Sequence, residues 1–105
     1  MNVVASASAP GTVQSATGTY TLFTYTPTND VDFLIAGYLS GNNINFICTW
    51  LDENGSGVNI SSSGSGPFNG GAHLPAGHTI TVAVQVSHAP NTYDAYATLL
   101  TLGQE

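Results

Sequence analysis

The feature of this sequence that most constrains its fold is a series of short segments in which apolar and polar residues alternate. The clearest segment covers residues 79–87 (TITVAVQVS). Its apolar positions, which share one face of an extended chain, are Ile80, Val82, Val84 and Val86. This period of two is that of a β-strand with one buried face, and no segment shows the spacing and end caps of a helix. The sequence therefore predicts an all-β fold.

Further segments with strand-like composition are bounded by glycine, proline or asparagine. They are residues 12–16, 19–26, 31–39, 44–51 and 93–102. Val58 and Ile60 resume the alternation after residues 52–55 (DENG), whose Asn-Gly step favours a hairpin turn. About seven or eight strands at intervals of roughly 10–12 residues predict an antiparallel β-sandwich or jelly roll.

The organisation along the chain predicts one domain. With 105 residues the chain is long enough for one hydrophobic core. We expect residues 1–16 to form an N-terminal arm with a short first strand, and residues 17–105 to form the sandwich. Residues 61–71 (SSSGSGPFNGG) are rich in glycine and serine, so they are predicted to be a flexible loop.

The charge of the chain argues against several classes of partner. It contains no lysine or arginine, six acidic residues and three histidines, for a net charge of −6. Nucleic acids and anionic membranes attract proteins through lysine and arginine, so we expect neither as a partner. The first residues lack the basic and apolar regions of a signal peptide, which predicts synthesis without export. The single cysteine, Cys48, is expected to be buried and unpaired.

No cluster of residues in the sequence indicates catalysis or metal binding. The spacings of His73, His78 and His88 match no zinc signature, and no Gly-x-Ser-x-Gly motif is present. Residues 52–57 begin like a calcium loop, but Ser63 stands where such a loop has its bidentate glutamate. We therefore expect a protein that is not an enzyme and that needs no metal or cofactor.

Two strands carry apolar side chains on both faces, which is more than one small sandwich needs. They are residues 31–39 and 93–102. On their second faces we identify Tyr38, Tyr96 and Leu100 as candidate interface or ligand-binding residues. Covering these faces predicts an oligomer. The strand aromatics also suggest a second interpretation, a platform for surface glycans, because flat rings with a polar tip suit the faces of sugars.

Several segments have the turn and strand patterns of a known family. They are residues 18–27 (GTYTLFTYTP) with the apolar strand that ends at Tyr38, residues 49–55 (TWLDENG) and residues 74–82 (LPAGHTITV). The strand over residues 93–102 also fits, so the match covers most of the chain. In these segments the chain resembles a domain that is common in structural proteins of tailed phages and is similar to the C1q/TNF jelly roll.

This resemblance implies a trimeric β-sandwich that is part of a virion. The implied roles are a capsid decoration (cement) protein that stabilises the phage particle, a head fibre or a tail-fibre component, with phage capsid or tail proteins as partners. The short chain has no long shaft, which favours decoration over a full fibre. We therefore expect a homotrimer that is made in the host cytoplasm and located in the virion. The alternative is a carbohydrate- or receptor-binding module of the tail-fibre or adhesin kind.

Overall fold

A computed structural model describes residues 1–102 of the chain. Within this range eight β-strands form two four-stranded antiparallel sheets, which confirms the predicted all-β sandwich. The strands are β1 (Asn2–Gln14), β2 (Gly18–Tyr25), β3 (Val31–Ser40), β4 (Ile44–Leu51), β5 (Gly57–Ser63), β6 (Gly66–Leu74), β7 (Ile80–Val86) and β8 (Asn91–Thr101). Residues 103–105, the end of the predicted sandwich domain, lie outside the described residues.

The strands are connected as a jelly roll. Sheet A has the strand order β1-β8-β3-β6, and sheet B has the order β2-β7-β4-β5. Strand β1 thus pairs with β8, β2 with β7, β3 with β6 and β4 with β5, as in one long hairpin folded over into two layers. This is the arrangement of the eight-stranded jelly roll. Alternation predicts the strands themselves but not their order.

The core lies between the two sheets and is built from alternate residues of the strands. All four inward residues predicted for β7 are buried. Aromatic rings join the sheets: Phe33 of sheet A meets Trp50 of sheet B edge to face, with ring centroids 5.2 Å apart. Phe68 of sheet A stacks on Phe46 of sheet B at 3.7 Å. Burying each such side chain stabilises the fold by about 1.5–3 kcal/mol, so these pairs stabilise the packing of sheet A on sheet B.

The N-terminal segment is a full strand of sheet A, which corrects the prediction of an arm with a short strand over residues 12–16. Strand β1 pairs with β8 along the whole segment, so the segment is part of the sandwich. Its inward positions Ala5, Ala7 and Ala9 are small and only half-buried. Because these residues are small and weakly hydrophobic, the sequence pattern does not predict the full strand. In the folded chain, pairing with β8 stabilises it.

The segment over residues 61–71 is not a flexible loop, which corrects a second prediction. It contains the end of β5, a turn and most of β6. A Cβ on Gly70 would lie 3.0 Å from Ile60 Cγ2. A Cβ on Gly71 would lie 2.9 Å from the carbonyl oxygen of Phe33. The glycines of this strand therefore allow close packing and do not mark a turn.

The turn between β4 and β5 is the hairpin that the Asn-Gly step predicts. Gly55 has a φ of 77°, and its amide donates to the Asp52 carbonyl at 3.0 Å. The Asp52 carboxylate accepts hydrogen bonds from the amides of Asn54 and Ser56, both at 2.9 Å. The Asp-x-Asn pattern in this segment thus serves the turn itself.

Candidate functional site on the outer face of sheet A

The outer face of sheet A carries three cross-strand rows of side chains that point away from the core. The pairing register places one residue of each strand in each row. In the order β1, β8, β3 and β6, the rows contain Val3, Leu100, Leu34 and Gly71; Ser6, Thr98, Ala36 and Asn69; and Ser8, Tyr96, Tyr38 and Pro67. We call these twelve residues face A. Because neighbours in a row lie side by side, face A is one continuous surface.

The three candidate residues named from the sequence all belong to face A. Tyr38 of β3 is the direct cross-strand partner of Tyr96 of β8, and Leu100 is the partner of Leu34. Tyr38 is 46% exposed and Tyr96 is 38% exposed, although both are large and mostly apolar. The fold therefore brings together, on one surface, side chains that are far apart in the sequence.

The edge strands add residues to face A that the sequence interpretation missed. Val3, which is 61% exposed, extends the row of Leu34 and Leu100 onto β1. Asn69 and Pro67 extend the face onto β6. The sequence does not predict these positions, because it favours an arm for residues 1–16 and a flexible loop for residues 61–71. The alternation of alanine and serine over residues 5–9 is the signal that could have placed β1 in a sheet.

Face A contains two shallow depressions. One, of about 460 Å³, is lined by Tyr38, Tyr96, Thr98 and the two serines of β1. The other, of about 370 Å³, lies between β3, β6 and β8, with Leu34 and Leu100 in its lining. Ala36 lies between the two depressions and contributes to both. Face A thus offers large side chains, one hollow of mixed polarity and one largely apolar hollow to a partner.

The carboxylate and histidine side chains of sheet A lie at its two ends and not among the three rows. At one end His73 Nδ1 and Asp32 Oδ1 are 2.8 Å apart, with both side chains about half exposed. The hydrogen bond to Asp32 raises the pKa of His73 above its ordinary value. Towards the other end the Asp94 carboxylate accepts from the Gly11 amide at 2.6 Å. Face A therefore has an uncharged centre and a polar rim.

The outer face of sheet B has a different composition. Its three rows, in the order β2, β7, β4 and β5, contain Thr19, Gln85, Asn45 and Ser63; Thr21, Ala83, Ile47 and Ser61; and Thr24, Thr81, Thr49 and Asn59. We call these twelve residues face B. Ten of the twelve carry a hydroxyl or amide group, so face B is suited to water and to polar ligands.

Within residues 1–102 the histidine, cysteine and acidic side chains do not cluster in one place. Cys48 is fully buried, and burial raises the pKa of its thiol to about 12, which keeps it protonated. His78 Nδ1 lies 2.6 Å from the Leu51 carbonyl oxygen, a bond that fixes a strand end. Residues 1–102 contain no group of three or more histidine, cysteine or acidic side chains arranged to hold a metal ion. No helix in this range is long and apolar enough to cross a membrane.

The aromatic residues considered for a glycan platform are mostly used in packing. Trp50 and Tyr93 are buried in the core. Tyr20 and Tyr25 are half-buried and packed against it. Tyr38 and Tyr96 are the exposed members of the set, and they form one adjacent pair. A platform of six rings is therefore not formed.

Comparison with known proteins gives no assignment, because no family model and no curated protein matches this chain. The geometry of the two faces is thus the basis for inference about function.

Proposed function

We propose that this chain is a non-enzymatic structural protein of a virion, which assembles as a homotrimer through face A and acts as a capsid decoration protein or head-fibre module. The observation that carries the proposal is the apolar outer surface of a sheet whose inner surface already supplies half of the core. A sandwich needs one apolar surface per sheet, so the second surface of sheet A is available for another chain.

The distribution of exposed apolar side chains supports face A as the contact. Eight large hydrophobic residues are exposed in the described chain. Four of them, Val3, Leu34, Tyr38 and Tyr96, belong to face A, and Leu102 follows the end of β8 beside it. A contiguous apolar patch with a polar rim is typical of a protein interaction site.

Electrostatics also favours contact through the centre of this face. Each chain has a net charge of −6 and no lysine or arginine, so copies repel one another at long range. Because the three rows of face A contain no aspartate, glutamate or histidine, packing them together desolvates no carboxylate. Hydrophobic burial then opposes the repulsion without a charge penalty at the contact itself.

Two arguments support a place in the virion. Jelly rolls recur in viral capsid proteins, and the eight strands here have that connectivity. The resemblance of residues 18–27, 49–55 and 74–82 to phage structural domains implies both the virion and the trimer. If the chain is a virion component, it will sediment with purified phage particles in a density gradient. Particles that lack the chain would contradict this part of the proposal.

Assembly through face A is tested by placing a charge on it. Tyr96→Asp would put a carboxylate in the contact, where burial without a partner costs several kcal/mol, so we expect the variant to be monomeric. Light scattering after size-exclusion chromatography measures the mass, and circular dichroism confirms that the fold is kept. Gln85→Asp adds the same charge to face B and should leave the oligomer intact. An oligomer that survives Tyr96→Asp, or that is lost in Gln85→Asp alone, would refute face A as the contact.

A further inference from the structure

A groove lies on the outer side of sheet B, where β7, β4 and β5 run side by side. It has a volume of about 470 Å³ and crosses the last row of face B. Its polar lining comes from Thr49, Asn59, Thr79 and Thr81, and Leu51 lies at its end with 52% of its surface exposed. We call this depression the sheet B groove. Its size is within the range of small-molecule sites.

The lining of the sheet B groove selects a class of ligand by its chemistry. Threonine hydroxyls and the Asn59 amide both donate and accept hydrogen bonds, whereas Leu51 offers an apolar surface. No ionisable side chain lines the groove, and the chain has no lysine or arginine with which to hold an anion. A neutral ligand with many hydroxyls and some apolar C–H surface matches this combination.

Contacts around the sheet B groove hold it in shape before any ligand arrives. The Leu51 carbonyl oxygen is bonded by His78 at 2.6 Å, and the adjoining turn is capped by the Asp52 carboxylate. The hydroxyls of Thr26 and Thr79 are 2.6 Å apart, which ties the start of β7 to the end of β2. Side chains that project from regular strands are positioned more accurately than side chains on loops.

We infer that the sheet B groove binds a neutral saccharide, with hydroxyl contacts to Thr81, Thr49 and Asn59 and apolar contact to Leu51. This inference goes beyond the structural role proposed above, because it assigns a ligand to the opposite side of the sandwich. Copies assembled through face A would leave the groove open to the outside. An open groove with few apolar contacts binds one sugar ring weakly, so detection requires a method suited to low affinity.

The test is a set of titrations followed by two-dimensional ¹⁵N NMR of the full chain. The probes are glucose, galactose, mannose and N-acetylglucosamine, each added separately to high millimolar concentration. We expect at least one of them to shift the amide signals of β4, β5 and β7 around Thr49, Asn59 and Thr81. Signals from face A should stay in place. Shifts confined to face A, or no shift of the groove amides with any of the four sugars, would overturn the inference.

A pair of matched variants links such shifts to the groove. Thr81→Val removes one hydroxyl while keeping the shape of the side chain, and we expect it to weaken binding about tenfold. Thr21→Val makes the same change on face B outside the groove and should leave the affinity unchanged. Equal affinities of Thr81→Val and the wild type would also overturn the inference. Light scattering on the same samples reports assembly separately, so the result for the groove does not depend on the result for face A.

Discussion

Faces A and B lie on opposite sides of one sandwich and share one core, yet they differ in composition. Face B presents hydroxyl or amide groups at ten of its twelve positions, whereas face A presents aromatic, aliphatic and small residues with only four hydroxyl or amide positions besides its two tyrosines. Packing in the core explains why the inner surface of each sheet is apolar. It does not explain the composition of either outer surface. A water-facing strand surface is satisfied by threonine and serine, as on face B, so the apolar residues of face A need a different explanation, which is the proposed contact with other copies of the chain.

The largest effect is expected from placing a charge in the core that both sheets share. Val84 of β7 is fully buried between the sheets, and Val84→Asp would bury a carboxylate without a partner. The cost of several kcal/mol is large against the roughly 5–15 kcal/mol that stabilises a domain, so we expect unfolding, visible by circular dichroism. Gln85→Asp, the next residue along β7, points to face B and should fold normally. The reverse result would mean that the register of β7 is wrong by one residue.

A smaller loss of stability is expected where the strands of sheet A approach most closely. A Cβ on Gly37 of β3 would overlap with the Tyr96 carbonyl oxygen and with the ring of Phe68. Gly37→Ala should therefore destabilise the chain by about 3 kcal/mol, measured by urea unfolding. Gly57→Ala on sheet B is the matched control, because a Cβ there meets no atom within 4 Å. Equal stability of the two variants would show that sheet A is less tightly packed than described.

The smallest predicted effect concerns pH and the rim of face A. The hydrogen bond to Asp32, with added attraction from Asp32, Asp30 and Glu53, raises the pKa of His73 above its ordinary value of 6.5, against a smaller opposing effect of burial. A histidine whose pKa is higher in the folded chain stabilises the fold below the ordinary value, and this contribution is lost as the pH rises through the raised value.

Urea unfolding of the wild type and Asp32→Asn tests this sign. We expect Asp32→Asn to be less stable at about pH 5.5 and nearly equal to the wild type at about pH 8.5. The difference should be small, because both side chains are about half exposed and water screens their interaction. A deficit of Asp32→Asn that grows with pH would contradict the assigned role of the pair.

The accuracy of the sequence interpretation depended on the size of the residues in each strand. The sequence predicts strands β4 and β7 through the alternation of apolar and polar residues, and strands β3 and β8 through large apolar and aromatic residues that occur on both faces. The sequence does not predict β6 or most of β1, because alanine and glycine occupy their inward or closely packed positions. Burial in these two strands comes from partners that are distant in the sequence, and periodicity within a segment does not report such partners.

The sequence predicts only those residues of the candidate site that lie on strands with large apolar side chains. Tyr38, Tyr96 and Leu100 are predicted because each lies on the second face of β3 or β8, two strands that the sequence predicts. Their meeting on one surface follows from the pairing of β3 with β8, and the sequence does not specify that pairing. Val3 and Asn69 also belong to face A, but they lie on β1 and β6, which the sequence does not predict at these positions.

The mass of the wild-type chain in solution reports directly whether face A joins copies of the chain. If the chain assembles through face A as proposed, light scattering or native mass spectrometry at micromolar concentration should give three times the 10.8 kDa of one chain. A stable 10.8 kDa monomer under these conditions would contradict assembly through face A.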